Sequence, residues 1–253
     1  MPKVLRPPVP EIEITRPTFA QSLKILVYGS AGSGKTVFAG TANLDERTAP
    51  TLFVDFEAGT LSLAGQDIDV DVIRVTHFKQ FNDVYAMLSA EDCPYRCVVV
   101  DSITEVQKLN LGGIVAESVR AQPGRDPDRP LIDDWGKSAE QMRKLLRRFR
   151  DLPMHVIVTA LAQEVKDESD GSVRVKPALP GKLADEIAAM FDFVIYLDVA
   201  TEKADGEYRH IRRGLTVSTG RYIAKDRSGR LAAVVDDPSV TSILDYVLAF
   251  GTV

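Results

Sequence analysis

Short apolar runs rich in β-branched residues recur along the chain at 23–28, 51–55, 72–76, 97–101, 155–160 and 193–197. They are nearly continuous rather than alternating, the pattern of strands covered on both faces. Between them, apolar residues return every three or four positions, which predicts helices over 34–43, 79–90, 135–151 and 183–190. In 79–90, Phe81, Val84, Tyr85 and Leu88 share one face and read as core packing. Strand and helix alternate, so the expected fold class is α/β, a doubly wound and mostly parallel sheet. Ligands of such a sheet bind outside the carboxyl ends of its strands. After residue 197 the texture changes. Ala204-Asp205-Gly206, Gly220 and Ser228-Gly229 are turn signals, predicting antiparallel hairpins and then a closing helix over 241–250. Residues 1–20 hold five prolines and several charges and read as an extended arm, leaving 21–253 as one domain.

Candidate chemistry gathers at three predicted strand ends. The first strand runs into Gly29, Ser30, Ala31, Gly32, Ser33, Gly34, Lys35 and Thr36, the pattern G-x-x-x-x-G-K-[ST] between a strand and a helix. Its glycines let backbone N–H groups wrap a phosphate, Lys35 can reach the β- and γ-phosphates, and Thr36 can offer a hydroxyl to Mg²⁺. Val98-Val99-Val100-Asp101 is an apolar strand ending in an acid, suited to holding the same Mg²⁺. The second strand ends in Asp55-Phe56-Glu57, where a carboxylate can orient and deprotonate an attacking water. Glu57 is the candidate base, and Asp55 is expected to organise the turn.

Composition narrows the remaining classes. The chain has 253 residues, 45% of them hydrophobic, enough for one large α/β core and short for two. No run of 18 apolar residues predicts a membrane span, and the N-terminus lacks the apolar stretch of a signal peptide. Cys93 and Cys97 lack a second ligand pair and read as reduced thiols of a cytoplasmic protein. A net charge of −5 argues against coating nucleic acid by bulk charge, while leaving room for a local basic groove.

The order GSAGSGKT, FVDFEAGT, CVVVDSIT resembles the RecA/RadA recombinase core, and among its members the reduced, phage-encoded ATPases associated with single-strand annealing. The similarity covers roughly residues 20–230. It implies a RecA-like P-loop fold, ATP and Mg²⁺ as cofactors, a homo-oligomer (ring or filament), and a catalytic Glu in the D-x-E segment. It also implies two DNA-binding loops. The first would lie within 110–134 with Arg120, Arg125 and Arg129, the second within 164–182 with Lys166, Arg174, Lys176 and Lys182. Both stretches are dense in breakers and polar residues. Lys225-Asp226-Arg227-Ser228-Gly229 resembles a K-x-R-x-G signature whose Lys and Arg reach a neighbouring subunit's γ-phosphate. One departure stands out. Relatives place a Gln at the end of the fifth strand to sense the γ-phosphate. Here that position holds Ala160 or Leu161, and Gln163 two residues later is the candidate for the contact.

The resulting expectation is an oligomeric, Mg²⁺-dependent ATPase that binds single-stranded DNA for recombination or annealing. The rivals are a nucleotide-switched assembly or regulatory protein without DNA binding, and a stripped DnaB-like helicase motor.

Overall fold

The structure is a computed structural model that describes residues 22–167, 171–204 and 207–248. The N-terminal arm, residues 205–206 of the predicted turn and the end of the expected 241–250 helix lie outside the described residues.

Strands β1 (Lys24–Gly29), β2 (Thr51–Asp55), β3 (Asp71–Arg74), β4 (Cys97–Asp101), β5 (His155–Lys166) and β7 (Phe193–Ala204) form the parallel part of one sheet. Between the last two lies β6 (Val173–Pro177), antiparallel to the far half of β5. After them come β8 (Glu207–Leu215), β9 (Lys225–Asp226) and β10 (Val234–Asp236), all antiparallel additions. The order across the sheet is β10-β8-β7-β1-β5-β4-β2-β3. This is the expected α/β class, a doubly wound and mostly parallel sheet with antiparallel C-terminal strands.

β3 is an exposed edge strand, but β1, β2, β4 and the first halves of β5 and β7 are buried on both sides, and their alternate residues feed two separate cores. Leu26, Val54, Val100 and Val158 face α3 (Gln80–Leu88), α5 (Ile132–Arg150) and α6 (Leu183–Met190). Ile25, Val27, Phe53, Val99 and Ile157 face α1 (Lys35–Gly40) and α7 (Val240–Leu248). The stripe in α3 packs as expected, with Phe81 edge-on to Phe149 of α5.

The two stretches read as loops carry more regular structure than the sequence suggests. Within 110–134, α4 (Ile103–Ala121) takes the first half and α5 starts at Ile132, so the loop is confined to residues 122–131. The apolar pattern hid α4 because its buried side includes the polar Gln107 and Asn110, with Gly112-Gly113 at mid-helix. Residues 164–182, read from the sequence as a loop, begin as a β5–β6 hairpin, with Gln163 opposite Lys176 and Lys166 opposite Val173. The hairpin is bound into the core. Tyr28, fully buried at the end of β1, sets its hydroxyl 2.7 Å from the Ile223 carbonyl and 3.1 Å from the Val175 carbonyl, and accepts the Ile223 N–H.

Candidate active site

The strand order brings the three predicted strand ends to one edge. β1 delivers the loop 29–36, and β5 separates it from β4 and β2, which end level with each other at Asp101 and Asp55. Gly29 is packed so tightly that a Cβ would lie 2.2 Å from the Leu197 carbonyl oxygen, so no larger residue fits. Ser30, Ala31 and Gly32 form the exposed tip, and Ser33 is buried with its N–H turned back to the Ser30 carbonyl. Gly34 has φ 91°, a left-handed conformation that glycine adopts without cost. It precedes Lys35 and Thr36 at the start of α1, where backbone N–H groups have no helical acceptor and are free for a phosphate.

Lys35 is nearly buried and donates to the Gly29 and Ser30 carbonyls at 3.1 and 2.8 Å. Burial holds its ammonium below the ordinary lysine range, against the pull of Asp101 and Glu57. The Thr36 hydroxyl donates to Asp101 at 2.7 Å, and the Thr159 hydroxyl donates to the other oxygen of that carboxylate. Burial pushes the Asp101 carboxyl up, while the two hydroxyls favour its ionised form. A hard divalent cation suits this pair of oxygens. Mg²⁺ keeps several waters and takes only one or two protein ligands beside the phosphates. The described residues hold no cluster of three or more His, Cys, Asp or Glu side chains fit for a metal, and Mg²⁺ here needs none. Thr36 and Asp101 are therefore the residues that would hold it, and bound there it would neutralise charge on the phosphates.

Glu57 is exposed at the mouth of the site, and its carboxylate accepts a hydrogen bond from Ser102, the residue after Asp101. Asp55 accepts the Glu57 N–H at 3.0 Å, the turn-organising role expected of it. Thr159 and Ser102 carry no role in the sequence reading. The only sign of Thr159 is one polar residue inside an apolar strand, and its partner is visible only once β5 lies beside β4.

The other candidates sit elsewhere. The Gln163 amide donates to the Pro177 and Leu179 carbonyls, bracing the hairpin against the residues just beyond β6, so as placed here it is not a phosphate contact. Lys225 pairs opposite Val194 near the start of β7, at the end of the sheet away from the loop 29–36. Its ammonium donates to the Ala189 and Phe191 carbonyls at the end of α6, and Arg227 pairs with Asp192. Neither reaches the nucleotide loop of its own chain. Of the DNA candidates, Arg125 is corrected. Its guanidinium is mostly buried against Asp134, which also receives the Leu131 N–H at the start of α5, so Arg125 closes a helix start. Lys176 is tied to the Gly181 carbonyl and Asp185. Arg120 donates back to the Ala116 carbonyl, while Arg129, Lys166, Arg174 and Lys182 are exposed. No helix of the described residues is long and apolar enough to cross a membrane.

A solved ATPase from the type III secretion system of pathogenic bacteria is similar at 17% identity, with a TM-score of 0.45 over 71% of this chain and 51% of that one. The chain thus spans about half the length of that protein. No match was found among curated proteins. The profile of the AAA domain family matches residues 21–228, which takes in the loop 29–36, Glu57 and Asp101, and the chain belongs to that family of P-loop ATPases.

Proposed function

We infer that the chain hydrolyses ATP with Glu57 as general base and couples the cycle to single-stranded DNA through the β5–β6 hairpin in an oligomer. One observation carries the hydrolytic reading. Thr36 and Asp101 meet at 2.7 Å, and the next residue, Ser102, holds Glu57 beside them. Lys35 and the loop amides fix the triphosphate. A water between Glu57 and the γ-phosphate loses its proton to the carboxylate as it attacks, leaving ADP and phosphate. Lys35 leaves the Gly29 and Ser30 carbonyls to meet the phosphates, exchanging neutral acceptors for charged ones.

The DNA reading rests on Lys166, Arg174 and Lys182, exposed cations on or beside one hairpin. A specific observation favours the rival assembly switch without DNA. Arg125 and Lys176 are engaged internally, and Arg221 pairs with Glu164 of the same hairpin. Two measurements test the pair of claims. Glu57→Gln should bind ATP and turn it over at least a hundredfold more slowly, and parental turnover in that variant removes Glu57 as base. Binding to a single-stranded oligonucleotide should fall with salt, and Lys166→Ala with Arg174→Ala should flatten that slope. No binding at low salt, with or without ATP, selects the assembly switch.

A further inference from the structure

The loop 29–36 has a second cation beside it, and it comes from the antiparallel C-terminal strands. β8 lies beside β7, with Arg212 opposite Val199, two residues past the Leu197 that packs on Gly29. From there the Arg212 side chain lies across Gly34. A Cβ at Gly34 would stand 2.5 Å from its Nε and 2.8 Å from its Cδ. The backbone of Arg212 is held on two sides. β7 pairs with it on one edge, and Asp237 both accepts its N–H at 3.1 Å and donates to its carbonyl at 2.7 Å. The guanidinium itself has no hydrogen-bond or ion-pair partner among the described residues, although its neighbour Arg213 has two carboxylates. A half-buried arginine left without an anion beside a phosphate loop is an arrangement that a bound phosphate completes.

The side of approach identifies which phosphate. β1 has β5 on one flank and β7 on the other. Asp101, Thr159 and Glu57 all come from the β5 side, so the γ-phosphate and the attacking water belong there. Arg212 comes from the β7 side and meets the loop at Gly34, one residue before Lys35. We propose that Arg212 grips the inner phosphates of the nucleotide bound in its own subunit, the α- and β-phosphates common to ADP and ATP. It is thereby a binding residue for both nucleotides and distinct from any cation that acts on the γ-phosphate alone.

The proposal rests on the nucleotide reading of the loop, and ADP keeps its test separate from the hydrolytic chemistry. Fluorescent ADP and ATP are titrated into the parent, Lys35→Ala, Arg212→Met and Arg212→Lys proteins, with steady-state hydrolysis alongside. Arg212→Met keeps the apolar stem over Gly34 and removes the charge. The expected result is a loss of about tenfold or more in affinity for both nucleotides, the scale of one charge-assisted hydrogen bond. KM should rise with kcat nearly retained, and Arg212→Lys should recover part of the affinity. If Arg212→Met binds ADP like the parent, the proposal is overturned. A lower melting temperature without nucleotide would then mark Arg212 as packing for Gly34. If kcat falls while ADP affinity holds, Arg212 acts on the γ-phosphate and the assignment to inner phosphates is wrong. Failure of the parent itself to bind ADP, matched by Lys35→Ala, would instead sink the nucleotide reading.

Discussion

At the scale of single residues, the carboxylate of Asp101 is the most constrained group in the site. It is buried with one hydroxyl on each oxygen, and both hydroxyls favour the ionised form needed for a cation. Thr159→Val keeps the shape of the strand and removes one donor. The expected effect is a several-fold rise in the Mg²⁺ concentration for half-maximal hydrolysis, because an isolated buried carboxylate is more costly to ionise. A Mg²⁺ titration unchanged from the parent would show that Thr159 only fills space. His155 supplies a second residue-level test, unconnected with catalysis. Its Nδ1 accepts the Leu23 N–H, and burial beside Lys24 pushes its imidazole down to about 4. The unfolded chain takes up that proton near 6.5 while the folded chain does not until about 4. Stability is therefore full above about 6.5 and falls as pH drops through this window. The loss is on the order of 2 kcal/mol once partial solvent screening is allowed for. Urea unfolding from pH 8 to 4.5 should show this slope in the parent and lose it in His155→Gln.

At the scale of elements, Arg125 separates packing from DNA contact. Arg125→Ala should lower the melting temperature, because Asp134 at the start of α5 loses its guanidinium, and should leave any affinity for single strands unchanged. Weaker DNA binding at unchanged stability would return Arg125 to the binding surface. What the sequence reveals at this scale depends on which signals are local. β2, β4 and α6 appear with their observed bounds, since a β-branched run closed by an acid, or a helical stripe closed by Phe191, is complete in itself. The loop 29–36 is legible for the same reason. β5 and β7 run well past their predicted ends because antiparallel partners, not apolar residues, sustain the extensions. Arg212 is invisible from the sequence, because its meaning depends on β7 lying beside β1.

At the scale of the whole molecule, Lys225 and Arg227 lie at the end of the sheet opposite the loop 29–36, so a role in hydrolysis requires a second subunit. Under that reading, hydrolysis rises more steeply than linearly with protein concentration through the assembly range. Lys225→Ala and Glu57→Gln, each inactive, regain turnover when mixed, because one interface then joins an intact Glu57 to an intact Lys225. Co-assembly without recovery at any ratio assigns Lys225 to its own chain, where it holds the end of α6 through Ala189 and Phe191.

The place of β1 in the sheet also sets a timetable for synthesis. Its partners are β5 and β7, and the pairing of Lys24 with Val156 is the earliest contact it can make with another strand. While a ribosome makes the first 154 residues, the phosphate loop is attached to a strand with both edges bare. That open edge closes only by joining segments far apart in the chain, the slow kind of step in folding. A nascent chain stalled before β5 therefore has every residue of the loop 29–36 and no nucleotide site, and an unpaired apolar strand exposed to neighbours.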